Sequence, residues 1–111
     1  MIKIINKFIP INGFISMTIF PFIFIRKDEL QKYTKKVDRH ELIHVEQQKE
    51  MLIIFFYVWY ITEWLIRLIC CLDTKKAYKN ISLEREAYEN ELNPDYLKYR
   101  KHYSWIKYLF K

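Results

Sequence analysis

Apolar and polar positions follow three different rhythms along this chain, and each predicts a different kind of element. Over residues 1–27, short runs of Ile and Phe are interrupted by Pro10, Asn12-Gly13, Ser16, Thr18 and Pro21. β-Branched and aromatic residues favour pleated structure, and Asn-Gly between two such runs is a strong turn signal. The region is therefore expected to form two or three short antiparallel strands. Pro21 would mark an edge or a bulge, because proline cannot donate to a ladder, and Arg26-Lys27-Asp28 would close the last strand in solvent. A signal or anchor segment is the competing reading, since Lys3 and Lys7 precede the apolar stretch. The interruptions and the want of a small-residue cleavage pattern weigh against it.

Residues 28–37 are polar and lead through a short turn into a helix. From Asp38, which suits an N-cap, the pattern is helical without a break to about Leu72, on the order of 50 Å at 1.5 Å per residue. Its second half, Met51 to Leu72, is apolar on nearly every face and long enough to cross a bilayer. Glu63 and Arg67 interrupt it at i,i+4 spacing, where they can pair, and charges inside a spanning helix are unfavourable. The expectation is a helix buried in the middle of a small domain. Its Trp and Tyr residues leave open a membrane-surface or oligomer-forming role. Asp73-Thr74 ends this helix or caps the next. Ser82 heads a Glu-rich helix over 82–93 that Asn93-Pro94 stops. Asp95 caps a last helix over 95–110, whose aromatic stripe packs on the long helix. The whole reads as one mostly helical α+β domain, 1–111, with short antiparallel strands beside the long helix.

Composition narrows the class. Hydrophobic residues are 51% and aromatics 18% of 111 residues, so the chain can bury a core that a disordered segment could not. A single Gly argues against a loop-rich, many-stranded fold. The net charge of +6 comes from lysines spread along the chain with no nucleic-acid motif beside them. That describes a solvated surface and no nucleic-acid partner. Cys70 and Cys71 are adjacent in an apolar run, point different ways on a helix and make neither a disulfide nor a zinc knuckle. Free thiols fit a reducing compartment, so a cytoplasmic location is expected, at a membrane surface if the apolar helix meets lipid.

The chemistry is concentrated in Asp38-Arg39-His40-Glu41-Leu42-Ile43-His44. This is H-E-x-x-H, which on a helix puts His40 and His44 about 40° apart, one turn above the other. Both imidazoles can then reach one cation about 2.0–2.1 Å away. Glu41 flanks the metal face and is better placed to take a proton from a metal-activated water than to ligate, which is the place of a general base. A catalytic zinc site needs a third protein ligand, and the acidic cluster Glu84, Glu86, Glu89 and Glu91 is the obvious supplier. Gln47 shares the metal face of the helix and could hold a ligand or a substrate carbonyl; Gln48 lies at its flank. Tyr88, Tyr96, Tyr99, Arg100, Tyr103 and His102 could each stabilise an oxyanion, with His102 expected at the surface.

The motif followed by Glu84-Arg85-Glu86-Ala87-Tyr88 on a second helix resembles the gluzincins, zinc metallopeptidases with two His and one Glu as ligands. The small size is similar to the single-domain minigluzincins, whose N-terminal part is a small sheet beside the active-site helix. The resemblance implies that Glu84 is the third ligand, Ala87 the small residue at the helix contact and Tyr88 the residue in the family's Asp place. It also implies that an edge strand near Thr18 to Ile25 takes an extended peptide by strand addition. Glu86 is the alternative third ligand. It lies about 200° from Glu84 around a helix, so only one of the two can face the metal. The expected activity is zinc-dependent hydrolysis of a peptide or protein substrate, with one zinc. The alternative is a non-catalytic, zinc-stabilised helical module that associates with a membrane or a partner through its aromatic-rich helix, or with a second copy of itself.

Overall fold

The computed structural model describes residues 2–110. It is mostly helical, 61% of the chain, with one small sheet. Strands β1 (Ile2–Asn6), β2 (Ser16–Ile19) and β3 (Phe22–Arg26) lie in the order β1-β3-β2. β2 and β3 are antiparallel with Ile19 opposite Phe22, so Phe20 and Pro21 alone make the turn, through a cis peptide bond. β1 runs parallel to β3 from Ile2 opposite Phe22 to Asn6 opposite Arg26, so the sheet is mixed rather than antiparallel throughout. Pro21 is thus a turn residue, not a bulge. Asn12-Gly13 does not form a hairpin because β3 stands between β1 and β2. Their connection must span two strand spacings, about 10 Å, which no two-residue turn can do. Gly13 sits in that connection at φ +102°, and the Asn6 side chain holds its start by accepting from the amides of Phe8 and Ile9. Arg26 closes the last strand as expected, donating to the Pro10 carbonyl and pairing with Asp28.

Helix α1 (Lys35–Met51) begins three residues before Asp38, behind Thr34. Asp38 sits inside the first turn, where it accepts from the Tyr33 hydroxyl and pairs with Lys3, rather than capping the helix. α1 is the central element. One side packs on Ile23 and Ile25 of β3 through Val45, and the other faces α4. Seven of its residues are buried, five of them polar: His40, Glu41, His44, Gln47 and Gln48.

The long helix is not continuous. Leu52 takes φ 60°, ψ 152°, and the chain restarts as α2 (Ile53–Cys71). No Gly or Pro announces the break. Nor is α2 buried: only 11% of its apolar window lies inside the molecule, and Phe56 and Glu63 are its buried residues. Phe56 packs with Ile81, Leu83 and Trp105, with Trp59, Tyr60 and Trp64 against them. Glu63, on the same face, accepts from Trp59 Nε1, Arg67 Nε, and both the amide and hydroxyl of Ser82. A carboxylate at a helix N-terminus is favourable, so Glu63 holds the start of α4 (Ser82–Asn90) in place of the cap expected from Ser82 itself. The charge inside the apolar run is thus the joint between α2 and α4.

Asp73 caps α3 (Thr74–Asn80), accepting from the amides of Lys75 and Lys76. α4 stops at Asn90, short of the predicted 93. The expected helix over 95–110 is only a single turn, α5 (Tyr96–Tyr99), followed by a 3-10 turn over Ser104–Tyr108. Asp95 makes no side-chain cap bond. The interruption has a cause: Arg100 turns inward as extended chain to meet Glu50 and Glu86, and Tyr103 takes a left-handed conformation at φ 59°. Of the expected aromatic stripe, Trp105 packs on α2 against Phe56 and Trp59, whereas Tyr99, Tyr103 and Ile106 are exposed; Tyr108, which the stripe did not include, is buried beside α4.

Candidate metal centre

H-E-x-x-H lies in the second and third turns of α1, where both imidazoles face α4. Glu84, in the first turn of α4, points back between them. Its Oε1 is 3.0 Å from His40 Nε2 and 3.0 Å from His44 Nε2, and the two nitrogens are 3.2 Å apart. All three residues are buried. Donors about 2.0–2.1 Å from a tetrahedrally coordinated ion sit roughly 3.4 Å from one another, so this triangle is nearly the face such an ion would occupy. The donor set, two imidazoles and a carboxylate, suits a divalent transition ion.

Electrostatics agree. Burial pushes His40 down, but hydrogen bonds to Glu84 and Glu91 more than offset it, and its pKa is raised to about 10. Burial likewise opposes charge on His44, and the nearby Glu84 carboxylate raises it. Burial pushes the Glu84 carboxyl up, while His44 and His40 pull it well below the usual carboxylate range. Three coupled, buried titratable groups aimed at one point need a positive charge there. A metal ion held between the two imidazoles and the carboxylate would supply one.

The groups behind the ligands differ from expectation. Tyr88, in the place of the resembled family's Asp, makes no hydrogen bond to an imidazole. Its ring packs edge-on against His40, centroids 4.4 Å apart, and its hydroxyl meets that of Tyr78 at 3.1 Å. The carboxylate behind His40 belongs to Glu91 instead, whose Oε2 is 2.7 Å from Nδ1. Glu91 lies one helical turn further along than Tyr88, past the end of α4. Gln47 is the partner of His44: its Oε1 stands 2.7 Å from His44 Nδ1, while its amide donates to Leu83 O and Glu86 Oε1. Glu86, the alternative third ligand, faces away from the imidazoles and is bound by Arg100, Tyr96 and Gln47. Glu89 is exposed.

Glu41 lies on the other side of the two imidazoles, facing β2. Ser16 Oγ and Thr18 Oγ1 each donate to its carboxylate at 2.7 Å, one to each oxygen. Gln48 ties α1 to the same strand, donating to Thr18 O and accepting from Phe20 N. β2 is an edge strand, but the Thr18 carbonyl already accepts from Gln48 and from the Tyr57 hydroxyl. β3, the other half of the predicted peptide-binding edge, is the central strand and has no open edge.

His40, Glu41, His44 and Glu84 open together into a cleft of about 550 Å³. Its other walls are chiefly apolar: Pro10, Ile11, Phe14, Met17, Phe56 and Ile61 among them. The hydroxyl donors in it are not those predicted. Tyr96 and Arg100 are engaged with Glu86, Tyr103 with Glu50, and Tyr99 and His102 are exposed. Tyr57, Tyr60 and Tyr78 line the cleft instead. Tyr60 donates to Glu84 Oε2 at 2.6 Å, and burial followed by the charge of Glu84 raises it well above its ordinary value, so it keeps its proton. The signal for these residues was present, since Tyr57 and Tyr60 lie on one face of α2, but it is invisible without the break at Leu52 that folds α2 back over α1.

No protein-family model matches this chain, and no curated protein or solved structure matches it.

Proposed function

We propose that this protein is a zinc-dependent peptide-bond hydrolase of gluzincin type. The observation that carries the reading is the buried triangle of His40 Nε2, His44 Nε2 and Glu84 Oε1, with edges of 3.0–3.2 Å, in one cleft with Glu41. His40, His44 and Glu84 would hold one zinc, three protein ligands being the number a catalytic zinc site uses. When bound, zinc lowers the pKa of a coordinated water toward neutrality and polarises a carbonyl.

The chain's own residues divide the remaining work. Glu91 and Gln47 accept from the Nδ1 atoms of the two imidazoles, fixing the tautomer that leaves Nε2 free to ligate. Glu41 takes the proton from water as its oxygen attacks the peptide carbonyl carbon, then delivers it to the departing amine as the C–N bond breaks. Ser16 and Thr18 hold that carboxylate by one hydrogen bond to each oxygen. Tyr78, whose hydroxyl meets only that of Tyr88, is the neutral donor in the cleft that can turn to the developing oxyanion, since the hydroxyl protons of Tyr57 and Tyr60 are committed to Thr18 O and Glu84 Oε2. The apolar walls exclude water and favour substrates with apolar side chains next to the scissile bond.

The Glu41→Gln variant tests this reading. It should bind one equivalent of zinc with the affinity of the parent while turnover of a peptide library falls at least a thousandfold. Undiminished turnover refutes the assigned base. Bound zinc without turnover in the parent protein favours the non-catalytic, zinc-stabilised module instead.

A further inference from the structure

Helix α2 has two faces, and only one is used by the fold. Phe56, Tyr60, Glu63 and Arg67 share the inner face, at i, i+4, i+7 and i+11. They meet the core, Glu84 and Ser82. About 180° around the helix run Ile54, Val58, Ile61, Leu65, Ile69 and Leu72. These are exposed, from 47% at Leu65 to 85% at Leu72. The two charges of α2 are both on the inner face, so the outer face is an uncharged stripe along 19 residues, about 28 Å. Apolar patches of this extent on a molecule with extents of 34 × 34 × 25 Å mark an interaction surface.

We propose that this face seats the protein on an anionic lipid bilayer, with α2 lying in the plane of the interface. α2 is long and apolar enough to cross a membrane, but its inner side is held to α4 and the core at Phe56, Tyr60 and Glu63, and that attachment favours lying in the interface over spanning. An interfacial helix of large one-sided apolar area fits that attachment. Charge complementarity selects lipid over a second copy. The chain carries +6, so two copies pressed face to face would repel, whereas an anionic leaflet attracts. Exposed Lys75, Lys76 and Lys79 on α3 stand beside the C-terminal half of α2, where Trp64 Nε1 donates to Thr74 O. The face is also continuous with the mouth of the cleft, since Ile61 belongs to both and exposed Ile11 lines the opposite side. The inference stands on the surface alone and does not depend on hydrolase activity.

Sedimentation of the intact protein with vesicles tests it. With phosphatidylcholine containing about 30% phosphatidylglycerol, the protein should pellet with the vesicles. Pure phosphatidylcholine should bind at least tenfold less. The paired change Val58→Glu/Leu65→Glu, remote from the metal trio, should lower partitioning at least tenfold with circular dichroism and zinc content unchanged. Replacing Lys75, Lys76 and Lys79 by Gln should cost roughly fivefold per position, a loss that high salt reproduces in the parent. A folded parent protein that stays in the supernatant with anionic vesicles overturns the proposal. So does a concentration-dependent dimer, seen by analytical ultracentrifugation, that the Val58→Glu/Leu65→Glu change abolishes while vesicle binding is absent.

Discussion

Two glutamates two positions apart on α4 have opposite fates, and the difference is which side of one helical turn each occupies. Glu84 faces the imidazoles, whereas Glu86 is fully buried against Arg100, Tyr96 and Gln47. Glu84→Ala should therefore abolish stoichiometric zinc binding, measured by elemental analysis after dialysis. Glu86→Ala should retain zinc but lower the unfolding free energy in urea by about 3 kcal/mol, because Arg100 is left buried with Glu50 as its one remaining carboxylate. Glu91 offers a finer comparison. Glu91→Gln removes the charge behind His40 and should weaken zinc 10- to 100-fold, roughly the usual effect of losing an outer partner of a metal-binding histidine. Tyr88→Phe keeps the ring on His40 and should change affinity far less. The sequence could set Glu84 before Glu86 through helix geometry and the H-E-x-x-H pattern. It could not assign Glu91, because that residue lies beyond the helix end, where periodicity no longer says which way a side chain points. Ser16 and Thr18 were hidden for a related reason: short strand hydroxyls carry no motif, and only the packing of β2 against α1 brings them to Glu41.

At the scale of elements, the apolar run from Met51 to Leu72 misled in an instructive way. Hydrophobicity marks it as a core helix, yet the buried helix is the polar α1, whose carboxylates, amides and imidazoles all find partners. Burial of polar groups is tolerated when each is hydrogen-bonded, and spacing alone does not reveal the partners. The break between α1 and α2 was equally illegible, since Leu52 is an ordinary helix former. Its φ of 60° and ψ of 152° lie in a region that suits glycine and cost a side-chain-bearing residue about 1–3 kcal/mol. Leu52 is exposed, so Leu52→Gly removes strain and loses little packing. Against about 1 kcal/mol of added unfolded-state freedom, the urea midpoint should hold steady or rise. In a continuous helix the same change would lower it. Glu63 makes the converse case: Glu63→Ala deprives Arg67, Trp59 and Ser82 of their shared acceptor and should destabilise the protein by about 3 kcal/mol.

At the scale of the molecule, the candidate metal centre draws on three elements, since His40 and His44 come from α1, Glu84 comes from α4, and the Glu41 carboxylate is held by β2. Zinc at about a hundred times its Kd should add roughly 2.7 kcal/mol of stability. For a chain of this size that is about 10 °C or more in Tm, lost on chelation. Loading the metal-free protein at pH 7 should also release protons. Glu84 and Glu91 raise the His40 pKa to about 10, so the imidazole is charged before zinc arrives and must surrender that proton. Calorimetry in buffers of different ionisation enthalpy counts the release. The mostly helical α+β class was readable from composition and rhythm. Strand pairing was not, because the turn that sets the register, Phe20-Pro21, is less conspicuous than Asn12-Gly13.

The hydrogen bond from Tyr60 to Glu84 has a mechanical consequence. Tyr60 projects from the back of a rod whose front is bare hydrocarbon, and the carboxylate it grips is one of the three donors. Any rolling of that rod as its front beds into another medium pulls on Glu84 directly, with no intervening residue to absorb the motion. The apolar front and the candidate ion site would thus be geared together, and whatever lies beneath the helix would have leverage over how firmly His40, His44 and Glu84 close on one another.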